Sequence, residues 1–167
     1  MSAAPPLLAV EDFSLAFSTR HGTVRALDRV RFALADGEML GLVGESGSGK
    51  SVTAYAIAGL LEQTARPTGG TIRFRGRALR ASGPAGAPTE LGGRSVAMIF
   101  QNPRAALNPI RSVGNQIADV LRTHRGLGAR AAEAAAVDLL AAVRIADPAR
   151  RARAYPFELS GGMCPNC

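Results

Sequence analysis

Apolar and polar residues alternate loosely from Leu8 to Phe17, with Val10, Phe13, Leu15 and Phe17 as the larger apolar side chains, and the passage predicts an edge strand. After a turn at Arg20-His21-Gly22, Val30, Phe32 and Leu34 alternate with Arg31 and Ala33, predicting a second strand antiparallel to the first. Asp36-Gly37 turns the chain again, and Glu38 to Val43 is short and apolar enough for a buried strand. Val52 to Leu61 has the composition of a helix ending near Glu62. Pro67 and Gly69-Gly70 are expected to break the chain before an alternating strand, Thr71 to Arg75, closed by Gly76. Residues 78–93 read as a loop, and Val96 to Phe100 as a buried strand that delivers Gln101 to its carboxyl end.

Beyond two Asn-Pro steps, at Asn102-Pro103 and Asn108-Pro109, the pattern becomes helical. Val113, Ile117, Val120 and Leu121 fall at helical spacing, and Gly126 and Gly128 interrupt. Ala129 to Ile145 predicts an alanine-rich helix with Val137, Leu140 and Val143 on one face. A short helix is expected between Asp147-Pro148 and Tyr155-Pro156, and no internal repeat is present.

Between the predicted strand at 38–43 and the helix after it lies Gly44-Glu45-Ser46-Gly47-Ser48-Gly49-Lys50-Ser51, which fits G-x-x-x-x-G-K-[ST]. Glycines at 44, 47 and 49 permit positive φ and close approach of the backbone to a ligand, so successive N–H groups can turn inward around an anion. The following helix adds its free N-terminal N–H groups and the positive end of its dipole. Polyphosphate suits such a cradle, with Lys50 reaching the β- and γ-phosphates and the Ser51 hydroxyl on Mg²⁺. In α/β sheets ligands sit at the carboxyl ends of strands, so Gln101 is expected to face the same site and to ligate Mg²⁺ or orient water.

Composition sharpens this picture. Lys50 is the only lysine among 20 Lys+Arg, so the one compact, flexible ammonium stands inside the glycine loop. Net charge is +7 over 167 residues, yet the arginines are scattered and aromatics are only 5%, which disfavours nucleic acid as the principal ligand. No apolar run reaches the ~20 residues that span a bilayer, and the N-terminus has no signal-peptide pattern, so a cytoplasmic protein is expected. Cys164 and Cys167 form a lone C-x-x-C, too few ligands for a zinc site, and read as a frayed tail.

A glycine loop, a glutamine after a strand, a helical insertion and Leu159-Ser160-Gly161-Gly162, in that order, resemble the nucleotide-binding domain of ATP-binding cassette transporters. Gly41 to Ser51, Met98 to Pro103 with Leu107-Asn108-Pro109, and Tyr155 to Met163 are similar to the ATPase subunits of dipeptide, oligopeptide and nickel importers. The resemblance implies an α/β fold: a phosphate-loop core with N-terminal antiparallel strands and a helical subdomain. Residues 1–101 would form the β-rich core, 102–159 the glutamine loop and helical subdomain, 159–163 the signature and 164–167 an atypical tail. It implies ATP and Mg²⁺ as ligands, with Gly44 to Ser51 on the phosphates, Phe17 stacking on adenine, and Ser51 and Gln101 near Mg²⁺. Ser160, Gly161 and Gly162 would touch ATP held by a second, identical or paralogous subunit. The implied partners are a membrane permease at the inner face of the cell membrane and, indirectly, a substrate-binding protein.

Members of that family continue past the signature into a long helix, an apolar strand ending in Asp-Glu and a later histidine, none of which has a counterpart after Met163. The chain is therefore expected to be the amino-terminal part of such an ATPase, with little hydrolysis of its own and with Leu40, Leu42 and Ile99 exposed. Two other readings stand beside it: a non-transport cassette protein acting on nucleic acid or ribosomes, and a silent nucleotide-binding fragment.

Overall fold

The computed structural model describes residues 5–79, 95–102 and 106–159. They fall into two compact units, the first ending at Ala97 and the second beginning at Met98.

The first unit is built on β1 (Leu8–Thr19), β2 (Gly22–Leu34), β3 (Ala65–Phe74) and the two-residue β4 (Arg77–Ala78), with one helix, α1 (Lys50–Ala58). The sheet order is β2-β1-β3-β4 and every pairing is antiparallel. β1 is thus central rather than an edge, because β3 returns from far downstream to pair with its second side, setting Leu8 opposite Phe74 and Phe17 opposite Ala65. The Arg20-His21 turn forms as expected, tied by the Thr19 hydroxyl donating to the Gly22 carbonyl at 2.7 Å.

A bulge explains why the β1 alternation is loose. Val10 and Phe13 both reach the core although three residues apart, since the register slips between them and Asp12 takes φ 48°. Gly70 of β3 faces this bulge at φ 72°, where a Cβ would collide with the backbone oxygens of Glu11 and Asp12. The Gly69-Gly70 pair expected to break the chain instead lies inside β3, which starts at Ala65 and carries Pro67 opposite Leu15. Pro67 is tolerated because β4 pairs only with Arg73 and Phe74, so β3 is an edge at that point. Leu8, Val10, Phe13, Leu15, Leu27, Ala56, Ala65 and Ile72 make the core of this unit.

Two ion pairs cross the exposed face beside the bulge. Arg31 grips Asp12 with two N–H groups at 2.6 and 3.2 Å, and Glu11 accepts from the Thr71 hydroxyl at 3.0 Å and from Arg73 at 3.2 Å. Thr71 first, then Arg73, holds the Glu11 carboxyl below its ordinary value of 4.5; Arg31 holds Asp12 below 3.8. Groups with depressed folded values stabilise the fold fully above their unfolded pKa, and that contribution fades as pH falls through the folded values. The first unit should accordingly lose thermal stability between about pH 5 and pH 3, and the double variant Glu11→Gln, Asp12→Asn should flatten that acid limb in melting curves.

The second unit holds α2 (Val113–Arg125), α3 (Ala129–Ala142), α4 (Pro148–Arg153) and a 3-10 turn at Pro156–Glu158. Val113, Leu140, Ile145 and Leu159 form one cluster; Ala118, Leu121, Ala132 and Ala136 form another. Val120, expected on the buried stripe, is exposed, and Ala118 takes its place because small side chains let α2 and α3 approach closely. Val143 likewise falls outside the helix and the core, since α3 stops at Ala142. Gly114 lets α2 approach α4, for a Cβ there would lie 2.7 Å from the Ala152 carbonyl.

Two expected buried strands are not formed. Residues 38–43 carry no strand, with Met39 and Val43 both 96% exposed, and beyond a single bridge at Val96 residues 97–100 carry none, with Ile99 88% exposed. A buried strand needs neighbours for its N–H and C=O groups and cover for both faces. Among the described residues neither segment joins the β2-β1-β3-β4 sheet.

Candidate functional site

Asp36-Gly37 closes the turn after β2, with Gly37 at φ 75° and the Glu38 carboxylate accepting from the Ala35 N–H at 2.7 Å. The chain then runs exposed through Gly44 to Ser48 and enters α1 at Lys50. Gly47 and Gly49 hold φ 82° and 90°, as an inward-turning loop requires. Gly49 is also sterically fixed, because a Cβ there would meet Leu27 Cδ2 at 2.6 Å and the Ala26 carbonyl at 3.2 Å. The loop is thus seated on β2 through one glycine and open at the other, where a Cβ at Gly47 would meet nothing.

Lys50 gathers the loop. Its ammonium donates to the Gly44 carbonyl at 2.7 Å, the Glu45 carbonyl at 2.6 Å and the Ser48 hydroxyl at 3.1 Å. The Ser48 N–H turns back to the Glu45 carbonyl at 3.3 Å. Helix α1 opens without a side-chain cap and with no acidic residue in its first turn, leaving its positive end for an anion. Its first internal bond runs from the Thr53 N–H to the Gly49 carbonyl at 2.8 Å, doubled by the Thr53 hydroxyl at 3.0 Å. The helix ends earlier than expected because Gly59, at φ 69°, caps it, with the Leu60 N–H on the Tyr55 carbonyl at 2.9 Å.

The structure therefore brings together Gly44, Glu45, Ser46, Gly47, Ser48, Gly49 and Lys50 in one exposed loop, with Ser51 exposed in the first turn of α1. Phe17 lies near the end of β1, half-buried and packed against the core of the same unit. Gln101 belongs to the second unit, where it is exposed. Ser160, Gly161 and Gly162 lie outside the described residues, as do Cys164 and Cys167. Immediately before them, the 3-10 turn is fixed by the Glu158 carboxylate accepting from the Tyr155 N–H at 2.7 Å, with the Tyr155 and Phe157 rings stacked 5.7 Å apart.

The Ser48–Lys50 contact is the feature that spacing alone could not reveal; only the folded loop shows which acceptors the lysine takes. Among the described residues no group of three or more His, Cys, Asp or Glu is placed to hold a metal, and no helix is long and apolar enough to cross a membrane. Ser51, exposed in the first turn of α1, places a hydroxyl at the head of the helix, a hard oxygen of the kind Mg²⁺ takes.

The chain is 45% identical over 158 residues to a putative peptide import ATP-binding protein of Brucella abortus (strain 2308), covering 95% of this chain and 47% of the relative. It is 41% identical over 157 residues to the dipeptide transport ATP-binding protein of Escherichia coli (strain K12), covering 94% of this chain and 48% of that protein. The chain thus spans about half the length of the curated relatives it matches. Among solved structures, the post-hydrolysis dimer of the ATP-binding cassette MJ0796 with ADP and Pi superposes with TM-score 0.75 at 20% identity, covering 95% of this chain and 66% of that one, which establishes the fold. Residues 27–166 match the family described as ABC transporter, and with the glycine loop, its lysine and the cassette fold in agreement, the chain belongs to the ABC transporter family of ATP-binding proteins.

Proposed function

We propose that this chain binds ATP with Mg²⁺ and forms the nucleotide-gripping part of a subunit that powers peptide import through a membrane permease. The observation that carries the reading is the loop itself: a sole lysine held over glycines in the left-handed region, at the head of an uncapped helix. The N–H groups of residues 45–50 would hold the phosphates, Lys50 would bridge the β- and γ-phosphates, and Ser51 with Gln101 would serve Mg²⁺. Phe17 would offer its ring to the adenine, and Ser160, Gly161 and Gly162 would complete the site of a second subunit. Bound ATP supplies the phosphoanhydride whose cleavage drives transport. The residues named here bind and orient. On this reading the protein works at the inner face of the cell membrane, held there by the permease.

The names of the relatives favour peptides as cargo, and nickel is the alternative within the same importer group. In the native cell, replacing Lys50 by alanine should abolish growth on a dipeptide as sole nitrogen source and leave nickel accumulation unchanged. Loss of nickel accumulation with peptide growth intact would reassign the cargo.

A further inference from the structure

We propose that Ser48 is a positioning residue that holds Lys50 in the nucleotide-free loop and yields it to phosphate; the proposal rests on the nucleotide-binding reading above. An ammonium has three N–H donors, and in this loop all three are committed: to the Gly44 carbonyl, the Glu45 carbonyl and the Ser48 hydroxyl. A phosphate oxygen can recruit the lysine only by taking one of them.

The three acceptors are not equivalent. The two carbonyls lie at 2.7 and 2.6 Å and are fixed by the backbone, so neither can step aside while the ammonium stays in place. The Ser48 hydroxyl is the longest contact, at 3.1 Å, and sits on a side chain that can leave by rotating about one bond into solvent, since Ser48 is exposed. Gly44 makes the arrangement possible: a Cβ there would meet the Ser48 Oγ at 3.0 Å, so the hydroxyl folds back over bare backbone to reach the ammonium. The carbonyls aim the lysine while the hydroxyl occupies the donor that the ligand needs. Ser48 therefore competes with nucleotide for Lys50 rather than assisting its capture.

Removing this competitor has a sign opposite to that of removing a phosphate contact. Ser48→Ala should bind MgATP about threefold more tightly in calorimetry on the 167-residue chain, the size expected for one modest hydrogen bond no longer broken on binding. A second readout follows the ammonium itself. Because Lys50 is the only lysine, ¹⁵N-lysine labelling places a single side-chain ζ-ammonium signal in the spectrum. In the nucleotide-free wild type its exchange with water should be slow, and in Ser48→Ala measurably faster. Unchanged or weaker MgATP binding by Ser48→Ala, with the wild type binding normally, would overturn the latch while leaving the nucleotide reading intact. Absence of MgATP uptake by the wild type would overturn the nucleotide reading, and the latch with it.

Discussion

Lys50→Ala should weaken MgATP binding by at least about thirtyfold while leaving the melting temperature of the chain nearly unchanged. Charge-assisted hydrogen bonds are each worth about 1.5–3 kcal/mol, and the ammonium is the only cationic side chain the loop offers to phosphate. The fold is spared because the carbonyls of Gly44 and Glu45 that lose their donor lie in exposed residues, where water replaces it. Lys50→Arg should recover little of the loss. A planar guanidinium is larger and spreads its charge, so it cannot set one compact cation between the β- and γ-phosphates as the ammonium can. Titration calorimetry with parallel melts checks both variants; a Lys50→Ala protein that binds as the wild type does would refute the assignment of the loop.

Gly70→Ala should cost the first unit about 3 kcal/mol or more. The left-handed backbone at φ 72° accounts for about 1–2 kcal/mol with any side chain that carries a Cβ. The rest comes from collision of the methyl group with the backbone oxygens of Glu11 and Asp12, which cannot rotate away and belong to the bulge of the central strand. Gly76→Ala supplies the control: its φ is 78°, but a Cβ there meets nothing, so only the backbone strain remains. Hydrogen exchange at β1 and β3 amides, which reports this unit alone, should show protection falling by more than about a hundredfold in Gly70→Ala and by about tenfold in Gly76→Ala. Equal effects at the two glycines would show that the bulge does not require residue 70 to lack a side chain.

The features legible in the sequence are those set by neighbours along the chain. The glycine loop and α1 follow from spacing within eight residues, and α2 to α4 from the periodicity around Val113, Leu121 and Leu140 together with the Gly126 and Pro148 boundaries. What the sequence concealed depends on residues far apart. β1 looked like an edge because nothing near Leu8 reveals that Phe74 will lie beside it. Gly69-Gly70 looked like punctuation because its reason, the bulge at Asp12, is almost sixty residues away. The apolar runs at 38–43 and 96–100 have strand composition, yet strand formation waits on partners, and neither run joins the β2-β1-β3-β4 sheet among the described residues. In the helical unit, alanine spacing proved more informative than valine: Ala118, Ala132 and Ala136 mark the buried cluster, while Val120, expected on the apolar stripe, is exposed.

The site shows the same division. Motif spacing placed Lys50 in the loop, but its third acceptor, the Ser48 hydroxyl, emerges only from the folded backbone. Gln101 and Phe17 stand out through motif order and family resemblance; the fold sets Phe17 half-buried in β1 and leaves Gln101 exposed in the second unit.

The central claim is that the loop grips the polyphosphate tail of a nucleotide. Calorimetric titration of the 167-residue chain with ATP, ADP and AMP, each with Mg²⁺, addresses it most directly. The account predicts single-site uptake of ATP, weaker uptake of ADP and none of AMP, because every phosphate removed deletes partners of Lys50 and of the loop N–H groups. AMP bound as tightly as ATP, or no heat with any of the three, would contradict it.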